Sequence, residues 1–349
     1  MNSLERVRTA ARLGVADRVP VGPYLASWTA RSCGISISRY CTDGQAMARA
    51  QLLAWEELGQ DIIFPDSDNY YLAEGFGCRT EIHPDALPTL IQPAIAEFEQ
   101  AFDLPLPDPT RDGRMPVILE AIEAIHARVG DEVCIRVPGT GPFSVASSLV
   151  GVERFLLEMA LIQSGRNETH RAAVEHLLDL TTRTLIAFGL AELQAGAHLI
   201  QCGDSLASTN VISPEMYRIW VLPRQQQVFQ AWKQAGALTA LHICGDNTRT
   251  LDLFAQTGAD IIAIDHAVDL ALAKQKIGGR ACLIGNLDPV AVMLQGTAGQ
   301  VESAARGCLE AAAPGGGYIL GTGCEVPPDT PLENLQALIG VGRGHHYGG

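Results

Sequence analysis

Three side chains of this sequence have the types and the placement to hold a metal ion. In the stretch LHICGD, His242 and Cys244 stand two positions apart, and Cys324 lies far down the chain in GTGCE. Residues two apart on an extended strand face the same way, so the imidazole and the first thiol converge. One imidazole and two thiolates, with a fourth position open or weakly held, are the donor set of a catalytic zinc site. Two thiolates make such a zinc electron-rich. It is then poorly suited to activating water and well suited to binding an external thiol, lowering its pKa and keeping the thiolate nucleophilic. A thiolate of that kind takes a methyl group from a good donor. The competing reading of LHICGD is packing: a buried ring beside a buried small residue.

Positioning such a set needs a scaffold that brings distant strand ends together. Eight short apolar runs alternate with helical stretches. They are RVPVGPYL from Arg18, DIIFPDS from Asp61, VCIRVPGTGP from Val133, AHLIQCGDS from Ala197, ALTALHICGD from Ala237, DIIAIDHA from Asp260, ACLIGNLDP from Ala281 and GYILGTGCEVPPD from Gly317. This alternation predicts a (β/α)8 TIM barrel, with an N-terminal helical extension and an insertion between strands 2 and 3 at about residues 69–115. The insertion is too long for a simple loop and could cover substrate.

In a barrel, catalytic groups gather at the carboxyl ends of the strands. Polar residues fall there repeatedly: Cys202 and Asp204 in the fourth run, His242, Cys244 and Asp246 in the fifth, Asp265 and His266 in the sixth. Asn286 and Asp288 end the seventh and Cys324 and Glu325 the eighth. Asp288 before Pro289 reads as the cap of the next helix, and Ser213 before Pro214 opens a helix expected to run to Gly236. The tail GRGHHYGG reads as frayed, with His345 and His346 solvated.

The chain has 349 residues, 47% hydrophobic, with 25 basic and 39 acidic side chains and a net charge of −14. That size suits one catalytic barrel over residues 1–349. The acidic balance argues against nucleic acid and anionic membrane surfaces as partners. No stretch nears the roughly 20 apolar residues of a membrane span. The first twenty residues read as an amphipathic helix and not as a signal peptide. Nine scattered cysteines without framework spacing argue for reduced thiols in a cytoplasm, most of them buried in the core.

HICGD, GNLDP and GTGCEVPPDTPLENL together resemble the uroporphyrinogen decarboxylase superfamily. Within it they are similar to the zinc-dependent methylcobamide methyltransferases, which move a methyl group from a corrinoid protein to coenzyme M. DRVPV near the start, AEGFGC from Ala73 and ISPEMYRIWVLP from Ile212 extend the resemblance over nearly the whole chain. It implies a barrel with its site at the carboxyl mouth. His242, Cys244 and Cys324 match the branch's H-x-C and distant Cys, so the resemblance implies that they bind Zn2+. A displaceable fourth ligand is then expected, with Asp265 the candidate and Glu325 next. Asp204 could orient substrate or bridge barrel loops. The implied methyl donor is a methylcobamide on a separate corrinoid-carrying protein, because no D-x-H-x-x-G corrinoid module is present in the chain. The acceptor would be a small thiol such as coenzyme M, or tetrahydrofolate, and the transfer could also run in reverse.

Two alternatives make different demands. A metal-independent uroporphyrinogen decarboxylase-like enzyme needs basic groups gathered at the mouth to pair with several carboxylates. The chain offers Arg31, Arg79, Arg111, Arg114 and Arg136 near mouth segments, in no compact cluster. PVGPYLASWTARSCG also lacks the arginine-rich pattern of the true decarboxylases. A corrinoid- or porphyrinoid-binding barrel would bind its ligand without turnover.

Overall fold

The computed structural model describes residues 1–347. Seven parallel strands curl side by side in the order β1 (Ile62–Ile63), β4 (Cys134–Val137), β5 (Leu199–Gly203), β6 (Leu238–His242), β7 (Ile261–Ala263), β8 (Cys282–Leu287) and β9 (Tyr318–Thr322). Two further strands, β2 (Arg79–His83) and β3 (Ala86–Gln92), form a separate antiparallel hairpin. The first apolar run closes the barrel without becoming a full strand. Gly22 N donates to Leu320 O and Leu320 N to Pro20 O on the β9 side, while Asp61 N donates to Val21 O on the β1 side. Pro20 and Pro23 lack N–H groups, so only a single bridge, Val21 to Leu320, survives there. The result is the (β/α)8 barrel expected from eight alternating runs.

Side-chain alternation stacks the barrel interior in layers. Ile62, Cys134, Leu199, Ala240, Ile261, Cys282 and Ile319 make the lowest layer. Leu4, Val7, Ala10 and Ala11 of the N-terminal helix Ser3–Ala11 seal it from below. Asn2 caps that helix by accepting from Glu5 N. Asp61 locks it down, accepting from Arg6 at 2.7 Å, from Arg18 at 2.8 Å and from Ser3 Oγ at 2.7 Å. Two residues further along their strands, Phe64, Arg136, Gln201 and His242 occupy the next layer up. Chemistry therefore begins one layer above a sealed, apolar floor.

The long excursion is structured. It holds the helix Tyr71–Gly75, the β2–β3 hairpin and a short 3-10 turn at Phe98–Asp103. Asn69 and Tyr71, at its start, face the central cavity. The hairpin turn instead binds the helix Ile37–Thr42, where Ser38 N donates to Pro84 O.

The helix opened by Ser213 departs from the expected continuous run. Ser213 does cap it by accepting from Met216 N. The run then passes through a π-turn over Tyr217–Val221 before resuming as Leu222–Gln234. Pro223 has no N–H to give to the ladder, and the widened turn absorbs that loss. The tail is docked and not frayed as far as Tyr347: Val19 N donates to His345 O, and His346 Nδ1 meets Asp17 O at 3.1 Å. Gly348 and Gly349 lie outside the described residues. No helix among the described residues is long and apolar enough to cross a membrane.

Candidate metal centre

His242, Cys244 and Cys324 come together. The ligand atoms of all three lie within 4.8 Å of one another. Cys244 Sγ stands 3.3 Å from His242 Nε2 and 3.9 Å from Cys324 Sγ. Tetrahedral zinc, with bonds of about 2.0 Å to nitrogen and 2.3 Å to sulfur, places its ligand atoms about 3.5–3.8 Å apart. The spacing and the soft, mixed donor set both fit that ion.

Each of the three side chains is held by an identifiable local device. His242 is the last residue of β6 and is 5% exposed. Its Nδ1 faces Ala263 O on the neighbouring strand at 3.4 Å, which leaves Nε2 toward the thiols. Beyond it the chain turns sharply at Gly245, whose φ is +91°. A Cβ there would stand 2.6 Å from Asn210 Nδ2, so the position needs glycine twice over. Asn247 Nδ2 reaches back to the carbonyls of Ile243, Cys244 and Gly245 at 2.9–3.1 Å. Cys324 follows β9 and Gly323, whose N–H donates to Leu287 O at 2.8 Å. Thr322 Oγ1 donates to Cys324 O at 2.7 Å, fixing the bend that turns the thiol inward.

The electrostatics favour one ionised thiol before any metal binds. The contact with Cys324, and then the charge and hydrogen bond of His242, hold Cys244 well below the usual thiol range against the cost of burial. Ser205 Oγ adds a contact at 3.3 Å. The proton this pair retains stays on Cys324, which is pushed upward by Cys244 and by burial. Burial works to lower His242, but the adjacent Cys244 thiolate outweighs it and leaves the imidazole raised.

These three groups open into a cavity of about 110 Å³ at the carboxyl ends of the strands. Glu325 lines it. One of its oxygens accepts from Ser27 N at 2.9 Å and Ser27 Oγ at 2.6 Å, and burial raises its carboxyl to about 7. Tyr24, Asp66, Asp68, Gln201 and Ser205 line it too, and the sequence reading passed over all five. Asp66 accepts from Tyr24 O–H and from Ser67 N, and burial raises it to about 6. Asp68 is paired with Arg114 at 2.6 Å. The available signals were FPDSD, with two carboxylates two apart at the end of the second run, and the interior register of Gln201 in LIQCG.

Two expected residues stand elsewhere. Asp265 does not join the cluster of His242, Cys244 and Cys324. Its Oδ2 accepts from Gly245 N at 2.8 Å and its Oδ1 from Ala267 N at 2.9 Å, so both oxygens serve backbone amides. It fastens the turn that carries Cys244. Asp204 does not reach the cavity. It is fully buried, with Oδ1 accepting from Ser144 N and Oγ at 2.8 and 2.7 Å and Oδ2 from Gln225 Nε2 at 3.1 Å. That is the loop-bridging role.

Cys202 is buried in the core, His266 sits outside the cavity between Asp265 and Asp288, and Asp288 caps its helix by accepting from Val290 N and Ala291 N. Asn286 Nδ2 donates to Asp265 O and Val268 O. The arginines a decarboxylase would need are dispersed. Arg31 pairs with Asp329, Arg111 with Asp108, and Arg114 with Asp68 and Glu74, Arg79 contacts Gln92 on the exposed hairpin, and Arg136 alone of the five is buried behind the cavity wall, against Gln201.

Comparison with known proteins agrees with the fold. The family model for uroporphyrinogen decarboxylase (URO-D) matches residues 2–345. A methylated-thiol–coenzyme M methyltransferase of Methanosarcina mazei is 31% identical over 343 residues, 97% of this chain and 88% of that protein. The methylcobamide:CoM methyltransferase MtbA of the same organism is 29% identical over 347 residues, 98% of each. The solved structure of a methyltransferase from Methanosarcina mazei superposes with a TM-score of 0.88 at 27% identity, covering 98% of both chains. The chain belongs to the uroporphyrinogen decarboxylase family, on the branch of its corrinoid-dependent methyltransferases.

Proposed function

We propose that this protein moves a methyl group from a methyl-corrinoid, presented by a separate carrier protein, to a small thiol bound at a zinc ion held by His242, Cys244 and Cys324. The observation that carries the reading is the convergence of one imidazole and two thiols, from β6 and the segment after β9, in a cavity at the strand ends. Zinc in such a set supplies Lewis acidity that lowers the pKa of an added thiol while leaving its sulfur nucleophilic. The names of the relatives support the methyl transfer and the thiol acceptor.

The chain's own groups have distinct tasks in this account. Ala263 O orients the His242 ring, Asp265 and Asn247 fix the Cys244 turn, and Thr322 fixes the Cys324 bend. In the transfer the thiol proton is released, the sulfur–carbon bond forms and the cobalt–carbon bond breaks, its electron pair staying on cobalt. A cavity of about 110 Å³ suits an acceptor of a few non-hydrogen atoms. It is well below the roughly 300–1,000 Å³ of sites for larger ligands. This supports a small thiol over tetrahydrofolate, and a corrinoid that docks above the cavity and does not enter it. The dispersed arginines count against porphyrinogen decarboxylation.

The test is turnover of methylcobalamin with zinc-loaded protein and a set of small thiols, read by loss of the methylcobalamin spectrum and by mass of the methyl thioether. Methyl thioether formation that His242→Ala abolishes is expected. Decarboxylation of a porphyrinogen without methyl transfer would overturn the reading.

A further inference from the structure

A thiol that gives up its proton inside a buried cavity needs a group to receive it. The cavity beside His242, Cys244 and Cys324 is lined by three carboxylates, Asp66, Asp68 and Glu325. Asp68 is consumed: Arg114 donates to its two oxygens at 2.6 and 3.0 Å, and Ser67 Oγ donates at 2.6 Å. Glu325 is tied to Ser27 and directly follows Cys324. Asp66 stands on the facing wall, in the FPDSD segment that continues β1, and is 6% exposed.

Asp66 has the support of a poised base. Tyr24 O–H donates to its Oδ2, and Ser67 N donates to its Oδ1 at 2.7 Å. Each oxygen keeps a lone pair beyond these bonds. Tyr24 is itself fixed to the segment that carries Cys324: its N–H donates to Thr322 Oγ1 at 3.1 Å, and its carbonyl accepts from Val326 N at 3.1 Å. Its ring packs on Phe64 at 4.6 Å between centres. Asp66 and Cys324 therefore share one frame across a cavity of about 110 Å³, small enough that an occupant of the three-donor cluster lies against both walls. Arg136, buried on β4 behind Tyr24 and Phe64, favours the charged carboxylate, while Asp68 and burial oppose it. Tyr40, Tyr71, Glu192 and Glu325 face Asp66 from the remaining elements.

We infer that Asp66 is the general base that takes the proton of the acceptor thiol as its sulfur settles against His242, Cys244 and Cys324, with Tyr24 as its positioning residue. The inference rests on the proposed function and deepens it by assigning the proton. The S–H bond breaks, its electron pair stays on sulfur, and the proton bonds to a carboxylate oxygen of Asp66. It passes from there to solvent, which restores the base.

The test follows proton release with a pH indicator when 2-mercaptoethanesulfonate is mixed rapidly with zinc-loaded protein. Wild type, Asp66→Asn, Asp66→Ala and Glu325→Gln are compared after their folding and zinc content are verified. Asp66→Asn is expected to release the same amount of proton about 100-fold or more slowly, the loss of a general base. Formate should restore part of the rate to Asp66→Ala, which a purely structural role would not allow. Release that Asp66→Asn does not slow, or that Glu325→Gln slows more, would overturn the inference.

Wild type alone gives a second readout. Asp66 titrates near 6, so a rate that it controls climbs through that ionisation and levels off above it. A rate that keeps rising about tenfold per pH unit toward the thiol's own pKa would mean that the site captures preformed thiolate, and would overturn the inference without any variant. Wild type that releases no proton at all refutes the functional reading, and the inference with it.

Discussion

The carboxylate of Asp265 accepts a hydrogen bond from the amide of Gly245 at 2.8 Å, one residue beyond Cys244. It thereby joins the end of β7 to the turn that aims the thiol. Removing it should loosen the ligand without deleting it. Asp265→Ala is expected to bind zinc about 10- to 100-fold more weakly while reaching the same stoichiometry at saturation, as for other groups that orient a metal ligand. Competition with a chromophoric chelator measures this. Wild-type affinity in the variant would mean that Asn247 holds the turn unaided.

Asp204 separates structural from catalytic carboxylates. Its two oxygens serve Ser144 and Gln225 deep in the barrel wall. Asp204→Asn replaces one acceptor with a donor among those groups. Stability should fall by about 1–3 kcal/mol in urea denaturation. Zinc content and KM of the folded variant should stay at wild-type values. A collapse of kcat in a stable, zinc-loaded variant would return Asp204 to the reaction.

Asp66 gives a pH signature. Burial raises its carboxyl to about 6 from an ordinary 3.8. Between those values the folded chain keeps a proton that the unfolded chain has released, so stability falls as pH rises through the window and levels off above it. The slope is on the order of 1 kcal/mol per pH unit. Glu325, raised to about 7, carries the decline somewhat higher. Asp66→Asn should flatten the curve between pH 4 and 6 in urea titrations of the metal-free protein. An unchanged slope would show that Asp66 ionises normally beside Tyr24.

The sequence made the convergence of His242, Cys244 and Cys324 legible for a simple reason. His242 and Cys244 obey strand alternation, and Cys324 sits between Gly323 and Glu325 at the end of another apolar run. The eight runs also foretold the barrel, although prolines reduced the first to a bridge. Partner choice was harder to read. Asp265 and Asp204 stand at strand ends as a ligand or an acid would, but their oxygens are consumed by Gly245, Ala267, Ser144 and Gln225, contacts that only the folded chain creates. Gln201 was hidden the other way. It lies mid-run, and only the stacking of layers shows that it faces the cavity.

The most direct measurement of the central claim is metal content by elemental analysis, wild type beside Cys324→Ala. The account predicts about one zinc ion per chain in wild type and its loss in the variant, because a three-donor site missing a thiolate does not retain the ion. A wild-type protein that stays metal-free after reconstitution with zinc, or a Cys324→Ala protein that keeps a full equivalent, would contradict it.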